Sequence, residues 1–312
     1  MALIVAFAVT VVAAPIAARV ARRLGMVDRP GLLKVQTHPV PYLGGLAVFA
    51  GLVAPIAAER PALMVPLGLA LVLGLTDDIK GPSPITRLGL EVVIGVIAAW
   101  VLPARDLPGA LLTVAFVIVL LNAVNLLDGL DGLASGVSLM SALGFAIVLD
   151  GEFRVLALAL AGSLTGFLVW NRPPARIYLG DGGSYLVGGA LAILLAASFN
   201  DGESGALPSG AVLFLAVPFA DMAVAIVRRF RARRPLFHGD RGHIYDQLVH
   251  RGWRPLATVG VCTLAQGLLV GVGVAIASLP TGMAVGIAAA LLVFVGITLL
   301  VAFTTPGTWE AG

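Results

Sequence analysis

The chain has 312 residues, 59% of them hydrophobic and only 12% charged, with a mean hydropathy of +1.01. An ordinary soluble domain carries about 25% charged residues, so this composition excludes one. The net charge of +3 and pI of about 9.4 come largely from one arginine-rich stretch; no soluble module accompanies it, which argues against a nucleic-acid-binding protein.

A membrane-spanning helix needs about 20 mostly apolar residues. In chain order, apolar runs predict spans near 2–20, 43–58, 61–76, 88–103, 108–124, 133–149, 155–170, 185–199, 207–227, 257–279 and 281–304. Backbone groups in lipid must be paired within the segment, so the runs predict helices. The expected fold is an all-α polytopic transmembrane bundle of ten to eleven spans, forming a single domain over 1–312, with a large basic loop at 228–256. The first run has no basic residues before it and Arg19, Arg22 and Arg23 at or after its end, as in a membrane span and not a cleaved signal. Cys262 lies inside an apolar run and reads as a packing residue.

Orientation follows Lys and Arg in short loops. With the N-terminus outside, the segments 19–42, 77–87, 125–132, 171–184 and 228–256 fall in the cytoplasm and hold 17 of the 20 Lys and Arg residues. The expected location is the plasma (inner) membrane, with the active face cytoplasmic. In the last of these segments, Arg228, Arg229, Arg231, Arg233 and Arg234 read most simply as a stop-transfer and anionic-lipid anchor.

The unusual polar motifs all fall in the predicted inner loops. Residues 28–45, DRPGLLKVQTHPVPYLGG, form a basic loop with Lys34 and His38. Asp77 and Asp78 in LGLTDDIKG could hold a hard cation such as Mg2+, or position a basic partner. In NAVNLLDGLDGLA, Asn125, Asp128 and Asp131 recur at a spacing of three, which places them on one face of a helical turn. In NRPPARIYLGDGGS, Asp181 is flanked by glycines whose backbone N–H groups could face a phosphate, with Arg172 and Arg176 upstream as suitable phosphate partners. The last loop, RRPLFHGDRGHIYDQL, offers Asp240, Arg241 and His243 to an anionic substrate; its His238, His243 and His250 do not have a zinc-site spacing. Asp221 lies inside the ninth predicted span, where a carboxylate requires a partner.

Taken in order, these stretches resemble the polyprenyl-phosphate N-acetylhexosamine-1-phosphate transferase family, across about residues 26–253. The resemblance implies transfer of a sugar-1-phosphate from a UDP-sugar to a polyprenyl phosphate (undecaprenyl or decaprenyl) in the membrane lipid, releasing UMP, as a first membrane step of a cell-envelope glycan. It implies Mg2+, with Mn2+ as an alternative ion, bound by Asn125 and Asp181. Asp77 and Asp78 match the family's paired catalytic acids, and Asp128 is counted with them. Asp128 and Asp131 match nucleotide-side positions, Asn171 a position near the uracil, and Arg87 a basic position near the phosphates. Lys34, His38, Arg176, Asp240, Arg241 and His243 complete the substrate-binding set. Relatives of the N-acetylglucosamine type often read His-x-His-His where this chain has His243-Ile244-Tyr245-Asp246, which leaves the sugar open. A homodimer is left open as well. The competing readings are a membrane transporter or flippase of an anionic substrate, and a CDP-alcohol transferase, whose pattern stops matching at Ser135.

Overall fold

The computed structural model describes residues 1–29, 38–102, 106–200, 206–235 and 241–304. Among these, every predicted apolar run is helical. In chain order the helices are α1 Ala2–Leu24, α2 Gly44–Glu59, α3 Met64–Lys80, α4 Pro84–Val101, α5 Leu107–Leu127, α6 Leu133–Val148, α7 Gly151–Asn171, α8 Gly180–Asn200, α9 Ala206–Leu213, α10 Ala216–Arg231, α11 Ile244–His250, α12 Pro255–Ala277 and α13 Thr281–Phe303. A two-residue antiparallel pairing, Val27 with Pro41 and Asp28 with Val40, closes the connection after α1.

Among the described residues, eight helical segments are long and apolar enough to cross a membrane, counting α3 with the single 3-10 turn Pro61–Leu63 that precedes it. α2 and α6 have 16 residues each, or about 24 Å at 1.5 Å per residue, short of a hydrocarbon core of about 30 Å.

The ninth predicted span is not one helix. It breaks into α9 and α10, bent by 64°. Pro218 in the first turn of α10 has no N–H to donate back, and a break in lipid would leave other backbone groups unpaired. Gln266 of α12, fully buried, meets that need: its Oε1 accepts from Val217 N–H at 2.9 Å and its Nε2 donates to the Leu213 carbonyl at 3.1 Å.

α8 is the axis of the bundle, and every residue from Gly182 to Ser198 is buried. It packs chiefly against α5 and α3, with α2 beside them. Close approach needs a missing side chain at Gly74, where a Cβ would overlap the carbonyl of Asp181. Gly74→Ala is expected to cost about 1–3 kcal/mol of stability and to displace the first turn of α8. Melting in detergent checks this against Gly68→Ala on the same helix, where the added carbon would meet only Phe49 at 3.8 Å and should change little.

The two ends of the bundle hold different chemistry. At one end Arg60 pairs with Glu152, two residues that fall between predicted spans on the outer side, and Arg60 Nη2 donates to the Val101 carbonyl at the end of α4 at 2.6 Å. The other end collects the polar motifs.

Candidate active site

The site is built on the start of α8. Gly180 has φ of 72°, a left-handed conformation that suits glycine, and the chain then turns into helix with Asp181 in the first turn. The first N–H groups of a helix have no partner within it. Here Asp78, from the last turn of α3, accepts from Asp181 N–H and Gly182 N–H at 3.1 Å each. Gly182 N–H, one of this pair, is among the glycine N–H groups that the sequence offers to a phosphate. The pair is engaged by a carboxylate of the protein instead, and Gly182 and Gly183 serve packing, the first against Leu75 and the second against Gly45.

From the end of α5, Asn125 Nδ2 donates to Asp181 Oδ1 at 2.7 Å and to Ser184 Oγ at 3.1 Å. Asp77, Asp78, Asn125 and Asp181 are therefore drawn together from three helices. Asp128 follows directly. Burial, and then the negative charges of Asp181, Asp78 and Asp131, hold its carboxyl well above the ordinary range. Such mutual repulsion marks a place where a cation would be welcome.

Asp77 meets the basic partner that the sequence left as one option. Its Oδ2 accepts from Arg87 Nη1 and from the Tyr185 hydroxyl, both at 3.1 Å. Asp131 is an anchor: its Oδ2 accepts from Ala175 N–H at 2.8 Å, which partly offsets the upward push of burial on its carboxyl. Asn171 is buried with its amide engaged inside the protein. Its Oδ1 accepts from Gly132 N–H at 3.0 Å and Ser135 Oγ at 3.2 Å, and its Nδ2 donates to the Ile177 carbonyl at 3.0 Å. It fixes the 128–132 turn.

The described part of the last loop, from Arg241 onward, packs against this end. Asp221 on α10, 1% exposed, finds its partner in His243, whose Nδ1 lies 2.7 Å from Asp221 Oδ2; Ile244 N–H donates to the other oxygen at 2.7 Å. His243 stacks on Tyr245, whose hydroxyl donates to the Leu126 carbonyl at 3.0 Å and rests against Gly129. Tyr245 thus fills space beside the 125–131 motif. Asp221→Ala would leave two buried N–H or ring-nitrogen groups without their acceptor, at about 1–3 kcal/mol. It is expected to lower the melting temperature and expose the 241–247 segment to protease.

The remaining candidates are peripheral or undescribed. Arg176 is exposed and lies over the Trp170 ring at 5.7 Å; His38 and Arg241 are exposed. Lys34 and Asp240 lie outside the described residues. Arg228 and Arg229 correct the lipid-anchor reading, since they are buried and Arg228 packs on Gly242. Sequence reading passes over Glu91, Asn122, Tyr185 and Gln266. Glu91 had a signal, a lone acid one turn after Arg87 in an apolar run.

Among the described residues no three His, Cys, Asp or Glu side chains are grouped as a ready-made metal cage. Mg2+ does not require one, because it usually takes one or two carboxylates and completes its shell with water and substrate phosphates. Asp181 and Asp128 offer hard carboxylate oxygens in a mutually repelling cluster, with Asn125 bonded to Asp181 beside them, and this donor set fits such an ion.

The sequence model for Glycosyl transferase family 4 matches residues 61–199, a span that contains Asp77 through Asp181. The chain is 31% identical to the Bacillus subtilis "Probable undecaprenyl-phosphate N-acetylglucosaminyl 1-phosphate transferase", over 81% of this chain and 77% of that protein. It is 30% identical to the Mycobacterium tuberculosis "Decaprenyl-phosphate N-acetylglucosaminephosphotransferase", over 80% and 75%, and 32% identical to the Thermotoga maritima "Undecaprenyl-phosphate alpha-N-acetylglucosaminyl 1-phosphate transferase", over 80% and 82%. Similarity of this extent across both chains, with the matched region carrying the acids gathered at the start of α8, makes this chain a member of glycosyl transferase family 4.

Proposed function

We propose that this protein transfers a sugar-1-phosphate, of the N-acetylhexosamine class, from a UDP-sugar to a polyprenyl phosphate at the cytoplasmic boundary of the plasma membrane, with Mg2+ as cofactor. The observation that carries the reading is the convergence of Asp78, Asn125 and Asp181 at the start of the central helix. The names of the relatives supply the acceptor and the class of sugar. The surplus of Lys and Arg in the segments at this end of the bundle supports a cytoplasmic site.

An oxygen of the lipid phosphate forms a bond to the phosphorus that carries the sugar, and the bond from that phosphorus to the bridging oxygen breaks, leaving with UMP. The second pKa of a phosphate monoester is about 6, so the acceptor needs little help losing a proton at neutral pH. The greater task is to bring two anions together in line. Asp181 and Asn125 would hold Mg2+, which when bound supplies charge neutralisation at the diphosphate. Arg87 presents a guanidinium beside them, and Asp77 holds that group in place. Asp78 keeps Asp181 in position through the helix start. His243, fixed by Asp221, stacks on Tyr245 beside the 125–131 motif.

Purified protein with Mg2+, undecaprenyl phosphate and a panel of UDP-sugars should release UMP with one sugar or a few, and chelation should stop it. Absence of UMP with every sugar from a well-folded sample would remove the proposal.

A further inference from the structure

Glu91 has no part in the reaction as described above, and its surroundings are costly. It sits on α4 with 1% exposure. One oxygen, Oε2, accepts from Asn122 Nδ2 at 2.8 Å. The other, Oε1, has no hydrogen-bond partner among the described residues and lies 3.8 Å from Arg87 Nε. A buried carboxylate with an unsatisfied oxygen is destabilising, and an apolar side chain of similar size would pack there without that cost.

What the carboxylate gains for the site is a direction for Arg87. An arginine side chain has several rotatable bonds and loses much conformational freedom when held. Here its Nε edge faces Glu91 on its own helix, one turn away, while Nη1 donates to Asp77 Oδ2 at 3.1 Å. Tyr185 donates to the same Asp77 oxygen from α8, so Arg87 is tied through Asp77 to the helix that carries Asp181. Asn122, three residues before Asn125 on α5, fixes Glu91 in turn. The line Asn122, Glu91, Arg87, Asp77, Tyr185 joins α5, α4, α3 and α8.

We infer that Glu91 is a positioning residue that holds Arg87 by its inner edge so that the outer edge of the guanidinium stays aimed at the phosphates. The inference rests on the proposed function for what Arg87 meets, and on the geometry alone for the coupling of Glu91 to Arg87.

The test is a double-mutant cycle on the purified full-length protein, using Mg2+, undecaprenyl phosphate and UDP-N-acetylglucosamine or whichever UDP-sugar the panel selects. Glu91→Gln keeps the volume and the acceptor for Asn122 and removes the charge. It is expected to lower kcat by about 10- to 100-fold, the effect usual for a group that orients a functional one, with KM changed less than about threefold. Glu91→Asp, which keeps the charge, should recover part of the rate. In an Arg87→Gln background the further change to Gln at position 91 should cost nothing more. Wild-type kcat in Glu91→Gln, or an equal loss in both backgrounds, would overturn the inference. If the wild type transfers no sugar at all, the function proposed above falls, and the same four proteins decide the coupling by their melting temperatures. Additive shifts there would defeat it, and non-additive shifts would uphold it.

Discussion

Asp181→Asn is expected to yield a folded protein that melts at or above the wild-type temperature and has lost at least about 100-fold in transfer rate, in the range seen when a preorganised electrostatic contact is removed. The substitution keeps the volume, and the new amide oxygen can still accept from Asn125 as the carboxylate does at 2.7 Å. The backbone N–H at this position still donates to Asp78. What disappears is one negative charge from a cluster in which Asp181 is, after burial, the foremost influence raising Asp128. Relief of repulsion favours the fold, while removal of a carboxylate weakens the seat of the cation. UMP release measured beside a thermal melt reads both effects, and a wild-type rate in this variant would contradict the site.

Asp78→Ala is expected to impair both stability and rate. The two N–H groups at the start of α8 lose their acceptor, and removal of a helix cap costs about 1–2 kcal/mol. The first turn of α8 is then free to shift, and a displacement of about 1 Å at a reacting centre can cost about 100-fold in rate. Asp78→Asn retains one acceptor oxygen and should fall between the alanine variant and the wild type in both readouts. A variant at position 78 that melts normally and yet is inactive would show that Asp78 acts on substrate directly and not through α8.

Much of the architecture is legible in the sequence because a span is a local feature. Its length and apolarity are contained in about 20 consecutive residues, and among the described residues ten of the eleven apolar runs each follow one helical segment, the ninth being split into α9 and α10. The motif positions are legible for a similar reason, since acids at the ends of apolar runs stand out. What each acid does is not. Asp78 meets N–H groups 103 and 104 residues further on, and nothing near Asp78 in the chain announces them. Asn171 illustrates the same limit, because a polar residue at a helix end reads equally well as a ligand contact or as a buried tie to Gly132 and Ser135. The interruption between α9 and α10 has a local sign in Pro218, but its repair comes from Gln266, about 50 residues away, which no local pattern shows.

That interruption reaches the chemistry through leverage. α10 is a stiff rod of 16 residues with Asp221 about 7.5 Å from its root, so about ten degrees of tilt at the root would move that position by about 1.3 Å. Asp221 rides on this rod and carries His243 with it. An amide deep in the bilayer, remote from any phosphate, thereby helps set where an imidazole arrives. Replacing Gln266 by Leu would let the rod swing, and the loss would register as slower turnover by an enzyme whose visible active-site residues are all intact.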